Sequence, residues 1–331
     1  MRHPVKQIID KMIAMIGSGS WATAIVKILL ENNERELYWW TRSAAVCDGV
    51  VSTGHNPRHL SSLSLDAERI HPTTNLATAV AASDILFLAV PSVYLADTLA
   101  MLPADAYRGK RFVSAIKGYV PQHRQSVSQY LEHRLDISAT DICVVSGPSH
   151  AEEVAESKDT FLTVASKNPL LANDVASTLR CNYIHTAISD EVDTIELCGL
   201  SKNVYAIAAG ICYGLDYGDN FVAMLTTAAA HELQGLIPET TLAFRLLGDL
   251  IVTCFSHHSR NRALGEAIAH GITPEEHFRT TGMVAEGYYS AQIMHDMGAS
   301  CPIPIAETVY DILYKGLPPS TGISNLINII L

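Results

Sequence analysis

Short, wholly apolar runs alternate with stretches of helical periodicity along the first half of the chain, and helical periodicity alone fills the second half. Lys11-Met-Ile-Ala-Met-Ile-Gly17 has the pattern of a buried strand, and a helix is predicted to follow it to about Asn32. Glu36-Leu-Tyr-Trp-Trp-Thr41-Arg42 reads as a second strand. Asp84 to Val90, Arg111 to Ile116 and Asp141 to Val145 read as three more, separated by helical patterns, so these strands should lie parallel. A strand-like run, Phe161 to Ala165, and a helical pattern from Pro169 to Arg180 carry this domain to about residue 188. Val50 to His71, with Gly54, Pro57 and several serines, reads as a loop with short helical turns. Ser189-Asp190-Glu191 has the capping residue and acidic first turn of a helix start. The pattern therefore predicts an α/β domain over 1–188, a doubly wound sheet, followed by an all-α domain over 189–331. No repeat, low-complexity tract or long linker separates them, so a long helix should join the two.

Composition narrows what such a protein can do. A chain of 331 residues, 48% hydrophobic, can fill two cores. The formal charge of −11 gives no long-range field to attract nucleic acid or an anionic membrane, so any phosphate ligand has to be held locally. Seven scattered cysteines without a Cys-x-x-Cys pair read as reduced core thiols of a cytoplasmic protein. Met1 to Asp10 lacks an apolar targeting core, and no run reads as the ~18 apolar residues of a membrane span.

The junctions after the strands carry candidate chemistry. In Gly17-Ser-Gly19-Ser20-Trp21-Ala22, Gly17 permits a tight turn, Gly19 leaves room for pyrophosphate, and Ala22 lets the helix lie on the sheet. Backbone N–H groups at the helix start would face the phosphates. This is the order of a Rossmann-type dinucleotide site, although a purely structural turn has the same string. The second strand ends without the acidic residue that would bind a ribose 2′-hydroxyl. Arg42 stands there instead, able to pair with a 2′-phosphate, to stack on adenine, or to lie in solvent. Pro91-Ser92, Lys117-Gly118 and Ser146-Gly147-Pro148-Ser149 follow the other strands, placing ligand-like turns around one sheet edge. His55 and His59 have no further ligands at zinc spacing, and no metal is expected.

In the second half, Lys202 lies in Glu196-Leu-Cys-Gly-Leu-Ser-Lys-Asn-Val-Tyr-Ala-Ile-Ala-Ala-Gly210, apolar on nearly every side of a helix. An ammonium there is paired, partly deprotonated, or snorkels to the surface; held inside, it is a candidate acid or base. Glu196, Gly199, Asn203 and Gly210 form a polar and small-residue stripe suited to close approach of a ligand. Asp249 is a natural partner for Lys202, with Thr253 on the same helical face. Ser259 can cap the next helix, whose start presents Arg260 and Asn261 as an anion site or simply as a solvated end.

These motifs, in this order over nearly the full length, resemble the bacterial NAD(P)-dependent glycerol-3-phosphate dehydrogenases: Gly17 to Trp21, Ala89-Val-Pro-Ser92, Lys117-Gly118, Ser146-Gly-Pro-Ser149, Ala151-Glu-Glu153, Leu200-Ser-Lys-Asn203, Gly218-Asp-Asn220, Gly248-Asp-Leu250, Ser259-Arg-Asn-Arg262 and Ala285-Glu-Gly287. The resemblance implies reduction of dihydroxyacetone phosphate to sn-glycerol 3-phosphate with NADPH or NADH, a precursor step of phospholipid synthesis. Lys202 would exchange the proton of the C2 oxygen, with Lys117 and Asp249 completing the catalytic group. Gly147, Ser149, Asn203, Thr253, Ser259, Arg260 and Asn261 would join these three in binding substrate. Gly17, Gly19, Ser20, Trp21, Arg42, Pro91, Lys117, Ala151, Arg260, Val284 and Glu286 would bind the cofactor. The chain departs from its relatives at Thr227-Ala-Ala229, at Ala243 to Gly248, in a shortened connection between these, and at His150. A reductase of another small hydroxy acid, or a regulatory paralogue without turnover, would share the fold. An apolar helical second domain is compatible with a homodimer.

Overall fold

The computed structural model describes residues 11–31, 35–237, 243–298 and 301–330. Met1 to Asp10, Asn32 at the expected end of the first helix, and residues 238–242 of the connection between Ala229 and Ala243 lie outside the described residues. The chain divides into two compact units. One takes in residues 1–116 and 127–192; the other takes in 117–126 and 193–331.

The first unit is built on a sheet of strands β1 (Ile13–Ile16), β2 (Leu37–Trp40), β3 (Ile70–Thr73), β4 (Ile85–Leu88), β5 (Arg111–Ser114), β6 (Ile142–Ser146), β7 (Thr160–Ala165) and β8 (Ile184–Ser189). Their order is β3-β2-β1-β4-β5-β6-β7-β8. Neighbours run parallel except β6 and β7, which pair antiparallel. Helices α1 (Ser20–Glu31), α2 (Ala44–Thr53), α3 (Leu76–Ala82), α4 (Leu95–Leu99), α5 (Val127–Leu135), α6 (Ala151–Ala155) and α7 (Pro169–Leu179) connect them. Ile13, Met15, Trp39, Phe87, Val113 and Cys143 are buried in its core, as expected of parallel strands covered on both faces.

Two strands depart from the hydrophobic pattern. The end of α2 and the first two residues of β3 lie in the stretch expected to be a loop, and β3 goes on through Pro72. Proline removes a donor, which an edge strand tolerates, and β3 is at the edge. β8, Ile-His-Thr-Ala-Ile-Ser, forms the opposite edge and is half polar, and Ser189 ends this strand instead of capping a helix.

The second unit is helical: α8 (Val192–Gly214), α9 (Asp219–Leu236), α10 (Ala243–Phe255), α11 (Arg260–Ala269), α12 (Pro274–Thr281), α13 (Glu286–Met297), α14 (Pro304–Tyr314) and α15 (Pro319–Ile330). By length and hydropathy α8 could cross a bilayer, contrary to the sequence reading, but it is a buried core helix. A Cβ on Gly210 would stand 2.0 Å from the Arg262 carbonyl oxygen, and one on Gly265 would stand 2.2 Å from that of Ile207. The glycine stripe therefore lets α8 and α11 touch backbone to backbone. It was expected to make room for a ligand; at Gly210 that space is filled by a helix. On another side, the Glu232 carboxylate accepts the N–H groups of Ile305 and Ala306 at 2.9 and 3.2 Å, satisfying donors at the start of α14.

Candidate active site

In the first unit the expected dinucleotide residues follow the carboxyl ends of the parallel strands. Gly17 has φ +120°, and a Cβ there would stand 2.7 Å from the Ala89 carbonyl oxygen, so both conformation and space demand glycine. The Trp39 indole N–H donates to the Gly17 carbonyl at 2.7 Å. A Cβ at Gly19 would meet nothing within 4 Å, the open approach a ligand needs. Ser20 and Trp21 open α1, and the Trp21 indole donates to the Ala115 carbonyl at 3.2 Å, so its ring is held by the sheet. Ala22 is fully buried.

Arg42 is exposed beyond β2, its guanidinium 5.0 Å from the centre of the Tyr94 ring. Tyr94 ends the short turn that Pro91 begins after β4. Tyr94 carries no sequence signal for this contact, because cation–π partners this far apart in the chain meet only in the fold. Gly147, at φ +136°, has a structural reason of its own: a Cβ would stand 2.3 Å from the Phe161 carbonyl oxygen of β7. The Ser149 hydroxyl donates to the Gly147 carbonyl at 2.9 Å, and Ala151 opens α6.

The second unit gathers a charged cluster from three separate segments. Lys202 of α8 donates to Oδ1 of Asp249 on α10, and both are buried. Nζ of Lys117, from the short segment 117–126, lies 3.5 Å from Oδ2 of the same carboxylate. One aspartate is thus shared by two ammonium groups. Loss of solvent, the dominant influence, and repulsion from Lys202 drive the Lys117 ammonium down from 10.5 to about 7, against the opposing pull of Asp249. Thr253, one turn after Asp249, donates to that residue's carbonyl at 2.5 Å.

A chain of amides surrounds the cluster. The Gly287 N–H at the start of α13 donates to Asn261 Oδ1 at 2.8 Å, and Asn261 Nδ2 donates to Asn203 Oδ1 at 2.8 Å. Asn203 Nδ2 then donates to the carbonyls of Lys117 and Gly199 at 2.6 and 2.8 Å. Both Nδ2 hydrogens of Asn203 are thus used, one of them in fixing the Lys117 backbone. Ser259 caps α11 by accepting the Arg262 N–H at 3.2 Å, and Arg260, first in that helix, is exposed. Arg262 turns inward, donating to Glu266 at 2.8 Å and lying 3.9 Å from the Tyr213 ring centre. Val284 and Glu286 flank the N-cap residue of α13, Ala285.

At the positions expected to depart from related sequences, Thr227 donates back to the Ala223 carbonyl at 2.9 Å and Ala229 is buried, both within α9. Leu246 and Leu250 are buried beside Asp249. An apolar α10 therefore carries the aspartate despite the altered approach.

A family model described as the N-terminal part of NAD-dependent glycerol-3-phosphate dehydrogenase matches residues 12–172, and its C-terminal counterpart matches 191–324. The glycerol-3-phosphate dehydrogenase [NAD(P)+] 1 of Salinibacter ruber is 34% identical over 95% of this chain and 94% of its own length. The glycerol-3-phosphate dehydrogenase [NAD(P)+] of Macrococcus caseolyticus is 32% identical over 96% and 97%. Among solved structures, the glycerol-3-phosphate dehydrogenase of Coxiella burnetii superposes with a TM-score of 0.88 at 27% identity, covering 96% of this chain and 98% of the other.

Proposed function

The chain belongs to the NAD-dependent glycerol-3-phosphate dehydrogenase family, and from that premise we propose how its own residues divide the work. The protein reduces dihydroxyacetone phosphate to sn-glycerol 3-phosphate with NADH or NADPH, a reversible reaction that supplies the backbone for phospholipids. The part over 1–188 holds the dinucleotide, and the part over 189–331, together with Lys117, holds the substrate and exchanges the proton.

The residues present fit a dinucleotide. Gly17 closes a turn in which no side chain fits, Gly19 leaves open space, and the first N–H groups of α1 are suited to pyrophosphate. When bound, the reduced nicotinamide supplies a hydride to the ketone carbon. Lys202 gives a proton to the ketone oxygen and recovers one in the reverse direction. Its ammonium is held by Asp249 in a buried setting, where a positive charge stabilises the developing alkoxide more than it would in water. Lys117 shares that carboxylate and, titrating near neutrality, is suited to pass a proton to the cluster. Arg260 and the start of α11 hold the substrate phosphate, Arg260 by its exposed guanidinium. Within the second unit Thr253 and Asn261 serve the substrate, and within the first Ser20, Trp21, Arg42, Pro91 and Ala151 serve the cofactor.

The observation that carries this reading is a single buried aspartate joined to two lysines from distant segments. Oxidation of NADPH and NADH with dihydroxyacetone phosphate, followed by absorbance, tests it. Lys202→Met is expected to lower turnover at least ~100-fold, the scale of a positioned acid–base group, with cofactor binding retained. Near-normal turnover of folded Lys202→Met would withdraw the proton role. Free thiols throughout the cysteine set support a cytoplasmic protein, and an apolar helical unit supports a homodimer, which light scattering of the purified protein would test.

A further inference from the structure

The loop after α2 contains a buried polar residue. Asn56 is 0% exposed, and every hydrogen-bonding position of its side chain is engaged. Nδ2 donates to the Ser18 carbonyl at 3.0 Å and to the Thr23 hydroxyl oxygen at 2.8 Å. Oδ1 accepts the N–H groups of Arg58 and His59 at 3.0 and 3.3 Å. Thr23, also fully buried, donates a hydrogen bond from its hydroxyl to the Gly19 carbonyl at 3.0 Å, beside the bond from its own N–H at 2.9 Å. One amide thus holds Ser18 directly and Gly19 through Thr23.

Those carbonyls belong to the two peptide groups on either side of Gly19. A trans peptide is planar, and its N–H points opposite to its C=O. No cis peptide is present among the described residues. Drawing the Ser18 and Gly19 oxygens toward Asn56 and Thr23 therefore turns the N–H groups of Gly19 and Ser20 the other way. Gly19 has only open space where its Cβ would be. We infer that Asn56 is a positioning residue for the dinucleotide: by pulling back two carbonyls of the glycine turn it aims the Gly19 and Ser20 amides at the pyrophosphate. Its contribution is to preorganise donors, so that binding does not have to reorient the turn.

The inference rests on the reading that this turn binds NAD(P)H. Two replacements separate it from a general role in folding. Asn56→Asp keeps the shape and the acceptor for Arg58 and His59 but removes both donors. Thr23→Val keeps the branched shape and removes the hydroxyl that links Asn56 to the Gly19 carbonyl, leaving that carbonyl only the backbone N–H of residue 23. The dissociation constant for NADPH would be measured by fluorescence titration, together with the melting temperature and the Michaelis constant for dihydroxyacetone phosphate at saturating NADPH. Asn56→Asp is expected to weaken NADPH binding about tenfold or more, the scale of a charge-assisted hydrogen bond. Thr23→Val is expected to weaken it less, and the double variant no more than Asn56→Asp alone. The Michaelis constant for dihydroxyacetone phosphate should stay within about twofold. If Asn56→Asp does not fold, Thr23→Val decides. A lowered melting temperature with an unchanged NADPH dissociation constant in folded variants would overturn the positioning role. Failure of the wild-type protein to bind either cofactor would instead remove the dinucleotide reading, and this inference with it.

Discussion

Replacing Asp249 by Asn removes one charge and leaves two ammonium groups facing an amide of the same shape. Lys202 and Asp249 are 4% and 3% exposed, so Lys202 cannot turn to water without moving α8 or α10. Breaking a buried pair by deleting one partner typically costs about 3–5 kcal/mol of stability, because the other charge stays buried. Lys117 makes that cost depend on pH. Its folded-state value of about 7 already lies below the ordinary 10.5, so wild-type stability rises with pH between those values, where the unfolded chain binds the extra proton. Asp249 is the influence that raises Lys117, so the variant's Lys117 should lose its proton at still lower pH. The deficit of the variant is therefore largest in mild acid and narrows as pH climbs toward 7. Above that, Lys117 is neutral in both proteins and the remaining difference reflects Lys202. Urea denaturation at about pH 5.5 and pH 8 measures it, and dihydroxyacetone phosphate reduction should fall at least ~100-fold in parallel. A variant within about 1 kcal/mol of wild type at both pH values would refute the shared-carboxylate argument.

Three further outcomes are expected. Arg42→Ala should raise the Michaelis constant for NADPH more than for NADH, because Arg42 stands where an acidic ribose ligand is missing; equal changes would leave it only a stacking partner beside Tyr94. Arg260→Lys should lower the specificity constant for dihydroxyacetone phosphate by an amount equivalent to about 1.5–3 kcal/mol while affecting unphosphorylated dihydroxyacetone much less, and a proportional fall for both would move Arg260 out of the phosphate site. Gly210→Ala should destabilise by about 1–3 kcal/mol or more, seen as a lower melting temperature, since its Cβ would stand 2.0 Å from the Arg262 carbonyl oxygen; an unchanged melting temperature would mean that α8 and α11 separate freely.

Some of this molecule is local and can be read from sequence alone. Strand, glycine turn and helix at Ile13 to Glu31 follow one another within a short stretch, and that order marks Gly17 and Ala22, although the carbonyl that excludes a side chain at Gly17 belongs to the distant Ala89. The burial of Lys202 follows from an apolar helix that leaves its ammonium almost nowhere to go. Other features have no local signature. β3 and β8 are edge strands, and the pattern that marks a doubly buried strand does not apply to them. Gly210 looked like room for a ligand because a small residue says only that something comes close; the approach of α11 decided what. The titration of Lys117 depends first on its burial and then on Asp249 and Lys202, far away in the chain, and its backbone is held by Asn203 and, through it, Asn261 and Gly287. Asn56 lay between two histidines that drew attention as metal ligands, yet its four bonds reach back to Ser18 and Thr23 and forward only to Arg58 and His59. Periodicity reports which face of an element is covered; desolvation, shared charges and backbone contacts depend on which element covers it, and that is settled only when the chain has folded.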